Sequence, residues 1–224
     1  MGAQITSLRN LINKIQIVRY LKFIDANRFT FSKELVYQKN YFFIVDPNYA
    51  DGNGNTFLHY ALWCGDMRGA LWLLHHNANP NQPNKDGVTP LHLGVQYNSR
   101  KLVRLLIDKG GDPRNIDNKM QLPLHFAARA NSIDGIHALL EAGSPMNPRD
   151  INGCTPFFWA VRRESWSATQ LLALWEVDVN IPDNSGCSPL HWVVKKEKTE
   201  WIKLLLAHGA NSDLMIKIIN PPVI

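Results

Sequence analysis

A four-residue segment recurs five times in this chain, each copy beginning 33 residues after the last. The copies read Thr56-Phe57-Leu58-His59, Thr89-Pro90-Leu91-His92, Leu122-Pro123-Leu124-His125, Thr155-Pro156-Phe157-Phe158 and Ser188-Pro189-Leu190-His191. A fixed period of this size means a stack of like supersecondary units, none of which can bury its apolar face alone. Such a stack builds an extended surface with no built-in reaction centre, which turns the functional expectation toward binding.

Other features keep the same register. Two residues ahead of the segment stand Gly54, Gly87, Gly153 and Gly186, with Met120 in the third unit. Five ahead stand Asp51, Asn84, Asp117, Asp150 and Asp183. Gly supplies the positive φ of a tight turn, and Asp or Asn hydrogen-bonds the turn backbone. Further on come apolar pairs expected on the inner face of a second helix: Leu73-Leu74, Leu106-Ile107, Leu139-Leu140, a weaker Leu172-Ala173, and Leu205-Leu206. A stop of Gly or another small residue follows at Asn77-Ala78, Gly110-Gly111, Gly143-Ser144 and Gly209-Ala210, and then Asn81, Asn147 and Asn180 open a loop.

Period and Thr-Pro-Leu-His signature together resemble the ankyrin repeat, over about residues 49–213. The resemblance implies an all-α helix-turn-helix solenoid with short β-hairpin turns, two antiparallel helices per unit and a long loop. Three departures stand out. Met120 should strain or re-route the third hairpin, Phe158 removes a helix-start hydrogen bond, and Glu176-Val177 replace the Gly stop. The fourth unit is therefore expected to be the weakest of the stack.

The ends are atypical. Asp46-Pro47-Asn48 falls 33 residues before Asn79-Pro80-Asn81, so residues 23–48 read as a degenerate capping unit. Residues 1–22 read as an added amphipathic, basic helix, with Ile5, Leu8, Leu11, Ile12, Ile15, Val18 and Leu21 at helical spacing. Residues 214–224 read as a C-terminal cap or as the start of a further repeat, because Pro221-Pro222-Val223-Ile224 stand where another segment is due.

Charge is distributed unevenly. The net charge is +5, and residues 1–45 carry seven basic and two acidic residues, leaving a balanced remainder. A nucleic-acid binder would carry its excess along the main surface, so no nucleic-acid partner is expected. No apolar run reaches the length of a membrane span. Cys154 and Cys187 occupy equivalent places in neighbouring units, about 10 Å apart by helix packing and beyond disulfide reach. Free thiols suit a reducing, cytoplasmic compartment.

Candidate sites follow from the register. The resemblance places the residues seven and eight past each segment start on a concave groove. They are Trp63 and Cys64, Gln96 and Tyr97, Arg129 and Ala130, Arg162 and Arg163, Lys195 and Lys196. The first two units offer aromatics, and the last three offer five cations without an acid. Lys85 and Lys119 add cations at hairpin tips. Clustered cations attract acidic partners, and aromatics with Arg dominate binding hot spots. The residues four past the segment start are Tyr60, Leu93, Phe126, Trp159 and Trp192, and they read as core.

Chemistry-bearing patterns are otherwise sparse. His59, His92, His125 and His191 recur one per unit and do not converge on a metal; the resemblance gives them backbone hydrogen bonds instead. No phosphate loop, nucleophile elbow, paired-Cys or zinc-helix pattern is present, so no enzyme, cofactor or metal site is expected. Met1-Gly2-Ala3-Gln4-Ile5-Thr6 fits N-myristoylation at Gly2, with the basic helix as second membrane signal. A pattern this short also arises by chance, and a simple cap is the favoured reading. Asn180, preceded by Leu172 and Asp178-Val179, is similar to the sites of the asparaginyl hydroxylase that modifies ankyrin repeats.

The chain thus reads as a monomeric, non-enzymatic protein-interaction module. Its partner would present an acidic, partly apolar segment, with an apolar anchor near Trp63 and Tyr97. Two other classes stay open. One is a membrane-tethered adaptor using Gly2, and the other is the targeting domain of a larger enzyme continuing past Ile224.

Overall fold

The computed structural model describes residues 46–212. The terminal readings lie outside them: the basic helix with Gly2, most of the capping unit, and the segment 214–224. The described chain divides into two compact units. One comprises the residues up to Gly94 with Arg104–Asp112; the other comprises Val95–Val103 with the residues from Pro113 on.

Ten helices occur among the described residues: α1 Phe57–Trp63, α2 Met67–His75, α3 Pro90–Gly94, α4 Arg100–Asp108, α5 Pro123–Arg129, α6 Ile133–Glu141, α7 Pro156–Arg162, α8 Trp166–Leu174, α9 Pro189–Lys195 and α10 Thr199–Ala207. Each repeat supplies a short inner helix and a longer outer one. In the first unit α1 packs on α2 and α3. In the second, α5 packs on α6 and α7, α7 on α8 and α9, and α9 on α10.

Local chemistry explains where these helices begin. Thr56, Thr155 and Ser188 stand at the N-caps in extended conformation, and their side-chain oxygens accept from the backbone N–H three residues on. Pro follows at the first helical position of α5, α7 and α9, where no N–H is needed. The segment histidine completes the cap. His59 Nδ1 accepts the Thr56 backbone N–H at 3.1 Å, as His191 does from Ser188 at 3.2 Å. With Nδ1 an acceptor, the proton sits on Nε2, which donates to the Val88 carbonyl at 3.0 Å in the first unit. His125 does the same toward the Cys154 carbonyl at 3.2 Å in the second.

Two repeats keep only half of this reciprocal pair. Phe158 has no ring nitrogen, yet its N–H is still capped by Thr155 Oγ1 at 3.2 Å, and its ring is fully buried. Leu122 has no hydroxyl, yet its N–H is still taken by His125 Nδ1 at 3.0 Å. The departure at Leu122 is as consequential as the one at Phe158 and is easily passed over in the sequence.

Helix ends repeat as faithfully. A left-handed residue follows each outer helix: Asn77, Gly110, Gly143, Glu176 and Gly209. The amide after it often returns to the carbonyl five residues back, as in Gly111 to Leu106 at 2.9 Å and Ser144 to Leu139 at 2.9 Å. Glu176 adopts this conformation at φ 56° without glycine's freedom. The hairpin turns are equally regular. Asp51, Asn84, Asp117, Asp150 and Asp183 each accept two backbone N–H groups through one oxygen, at 2.8–3.0 Å.

Met120 does not re-route its hairpin. Its N–H reaches the Asp117 carbonyl at 2.9 Å, as Gly54 reaches Asp51 and Gly87 reaches Asn84. The residue is instead forced to φ 59°, so the turn is kept and the strain is local. Of the apolar pairs, Leu73-Leu74 and Leu139-Leu140 are buried. The weaker Leu172-Ala173 pair is buried too. Two second members are corrections: Ile107 is only half-buried beside buried Leu106, and Leu206 is 39% exposed. Neighbours on a helix point about 100° apart. The second residue of a pair therefore needs cover from the next repeat, which α8 gives beside α6 and no described helix gives beyond α10.

A left-handed conformation costs an L-residue about 1–2 kcal/mol, offset in part by glycine's larger chain entropy. Met120→Gly and Glu176→Gly should therefore each raise stability, by up to about 1 kcal/mol, read as a higher urea midpoint. Stability should also depend on pH. Burial lowers the pKa of His59 and His125, opposed at His59 by the Val88 carbonyl and Asp51, and at His125 by the Cys154 carbonyl with Asp150 and Asp117. Their stabilisation is complete above the ordinary histidine value of 6.5 and is lost as pH falls toward the lower folded values. Urea midpoints at pH 7.5 and 5.5 should show the loss, and His125→Phe, the choice already made in the fourth repeat, should flatten it.

Candidate functional site

In four repeats the groove positions are the last residue of the inner helix and its C-cap, whereas Gln96 and Tyr97 lie just past α3, which ends at Gly94. Trp63 and Cys64 end α1, Arg129 and Ala130 end α5, Arg162 and Arg163 end α7, and Lys195 and Lys196 end α9. A helix C-terminus carries partial negative charge and stabilises a nearby cation. The fold thus supplies a local reason for tolerating cations here, and any partner is a further use of them.

In the second unit the cations gather on aromatic faces. The Arg129 guanidinium lies 4.6 Å from the Phe126 ring centre and 5.9 Å from that of Trp159. Arg162 and Arg163 lie 5.6 and 5.7 Å from the same indole. Lys196 stands 5.9 Å over Trp192. Among the described residues no carboxylate forms an ion pair with Arg129, Arg162, Arg163, Lys195 or Lys196, whereas Arg100 pairs with Glu141, Lys198 with Glu164 and Lys203 with Glu200. Glu164, adjacent to Arg163 in sequence, is taken by Lys198 at 3.0 Å.

Two of the turn carboxylates, Asp51 and Asp150, have both oxygens engaged and also bond the edge of an aromatic ring. Asp150 is buried; its second oxygen accepts from Trp159 Nε1 at 2.9 Å and Gln121 Nε2 at 3.1 Å. This bond fixes the indole that receives three arginines. Tyr60 makes the corresponding bond to Asp51 in the first unit. The core reading of this aromatic ladder therefore holds in full for Phe126; Leu93 and Trp192 are only half-buried, and Tyr60 and Trp159 need a further correction. Both are half-buried, with a polar edge anchored in the turn. Burial and then Arg163 lower the Arg129 pKa, with Asp117 opposing.

The remaining candidates are scattered. Trp63 is 64% exposed and Lys85 is an exposed hairpin residue, both in the first unit. Lys119 is an exposed hairpin residue of the second unit, and its carbonyl accepts the Ile151 N–H at 2.9 Å. Gln96 and Tyr97 are half-buried, and the Tyr97 carbonyl accepts from Ser132 Oγ at 3.4 Å. The large apolar side chains most exposed near the second unit's hairpins are Ile116, Met120 and Ile151. They interrupt otherwise polar turns, the one signal that could have singled them out.

Asn180 bridges repeats: its Nδ2 donates to the Gly209 carbonyl at 3.0 Å and its Oδ1 accepts from Asn211 N–H at 2.8 Å. The Cys154 thiol is pushed up to about 11, first by burial and then by Asp150 and Asp183, and burial also raises Cys187. Neither is a thiolate at neutral pH, so neither is an activated nucleophile. Among the described residues no helix is long and apolar enough to cross a membrane.

No curated protein matches the chain. A family model described as ankyrin repeats matches it three times, over residues 11–117, 66–150 and 124–216. Those matches span most of the chain and agree with the repeated hairpin and helix pair, so the protein belongs to the ankyrin-repeat family.

Proposed function

We propose that this protein binds an acidic segment of a partner protein along the inner-helix ends of its second unit, as a monomeric, non-enzymatic module. Ankyrin repeats are protein-interaction modules and are typically non-catalytic. The observation that carries the finer reading is the convergence of Arg129, Arg162 and Arg163 on Trp159 without a carboxylate ion pair among the described residues. Cations held this way raise the association rate of an acidic partner and discriminate against basic ones. Ile116, Met120 and Ile151 supply the apolar contact that the sequence reading assigned to Trp63 and Tyr97. Three free cysteines suit a cytoplasmic setting.

The variant carrying Arg162→Glu, Arg163→Glu, Lys195→Glu and Lys196→Glu should melt at a temperature close to the wild type. It should lose at least about tenfold in affinity for Asp/Glu-rich peptides selected on the wild-type protein, equivalent to about 1.4 kcal/mol. Wild-type affinity would then weaken with added salt. Undiminished binding by the variant would overturn the assignment.

A further inference from the structure

We infer that the anion favoured by the Trp159 cluster is the phosphate of a phosphorylated partner residue rather than an ordinary carboxylate; this rests on the proposed binding face. Three of its five cations are arginines, and all three converge on one indole, at 5.6–5.9 Å from its centre. A guanidinium offers a planar fork of donors that matches phosphate oxygens two at a time, whereas an ammonium acts as a point charge. A carboxylate has two oxygens and one charge, and a single fork satisfies it. A phosphate monoester carries nearly two charges and three terminal oxygens, so it can take several forks together.

The arginines are also held in advance. Cation–π attraction to the ring restrains them, and the indole is itself fixed by the Asp150 hydrogen bond at 2.9 Å. Preorganised donors lose less entropy when the ligand arrives. Burial first and then Arg163 oppose the charge on half-buried Arg129, with Asp117 offsetting only part of this, so a dianion relieves more of the opposition than one carboxylate does. No turn carboxylate takes the place of such a ligand. Asp150 has both oxygens engaged by backbone N–H groups, Gln121 and Trp159. Asp117 near Arg129 and Asp183 near Arg162 each hold their own turn backbone through one oxygen and form no ion pair with these arginines among the described residues.

The test uses the full chain, immobilised, and three degenerate peptide pools that differ only in a fixed central residue: phosphoserine, glutamate or serine. The phosphoserine pool should be retained at least about tenfold better than the glutamate pool. Replacing Arg129, Arg162 and Arg163 together by Lys keeps the charge and removes the forks; it should erase that preference while retention of the glutamate pool persists. Circular dichroism melts check that the variant is folded. Equal or better retention of the glutamate pool by the wild type would overturn the phosphate inference and leave the acidic-partner reading standing. Retention of neither pool above serine would overturn both. A phosphate preference that survives the Lys variant would also overturn the assignment to these arginines.

Discussion

The register of this fold depends on side chains that reach one repeat ahead to satisfy backbone groups, alongside backbone bonds between successive hairpins such as Ile151 N–H to the Lys119 carbonyl. Among the described residues no extended sheet joins the repeats; the hairpin of the first repeat is marked by a single bridge between Ala50 and Thr56. In place of strand pairing, His59 and His125 donate to carbonyls 29 residues on, and Asn81 and Asn180 donate to the carbonyls of Gly110 and Gly209, also 29 residues on. A buried polar group left without a partner is costly, so the links from buried His59 and His125 require the next repeat to be present and in register, and the exposed asparagine links reinforce that register. The cooperativity of such a stack resides in these links together with the apolar faces they align.

The same economy explains how a binding face arises. The inner helices α1, α5 and α7 are largely buried, most completely α5, where only Arg129 escapes full burial. The variable side chains are therefore confined to helix ends and hairpins. There a cation is welcomed by the helix terminus, and an aromatic ring three or four positions back gives it a surface to rest on. Scaffold and face use the same carboxylate: Asp150 closes the hairpin through one oxygen and orients Trp159 through the other.

Irregular residues show what the scaffold tolerates. Met120 and Glu176 stand where glycine is easiest, and both keep the geometry of their glycine counterparts. The surrounding hydrogen bonds over-determine the backbone, so strain is absorbed at one residue and does not spread into the loop. Phe158 and Leu122 show the complementary case, in which half of a reciprocal cap suffices once the neighbouring core is in place.

The sequence by itself determined the repeat period, the caps, the turn carboxylates and the buried histidines, because these depend on contacts within one repeat or at one fixed spacing. Only the tertiary structure decided that Arg129, Arg162 and Arg163 share one indole, since Arg129 comes from a different repeat and rotamers are set by packing against neighbours. It likewise decided that Glu164 faces Lys198, that Tyr60 and Trp159 serve the turns as well as the core, and that Leu206 lies open. Local pattern fixes where a side chain is attached. Where its far end rests is set by which other groups are within reach, and that information exists only once the repeats are stacked.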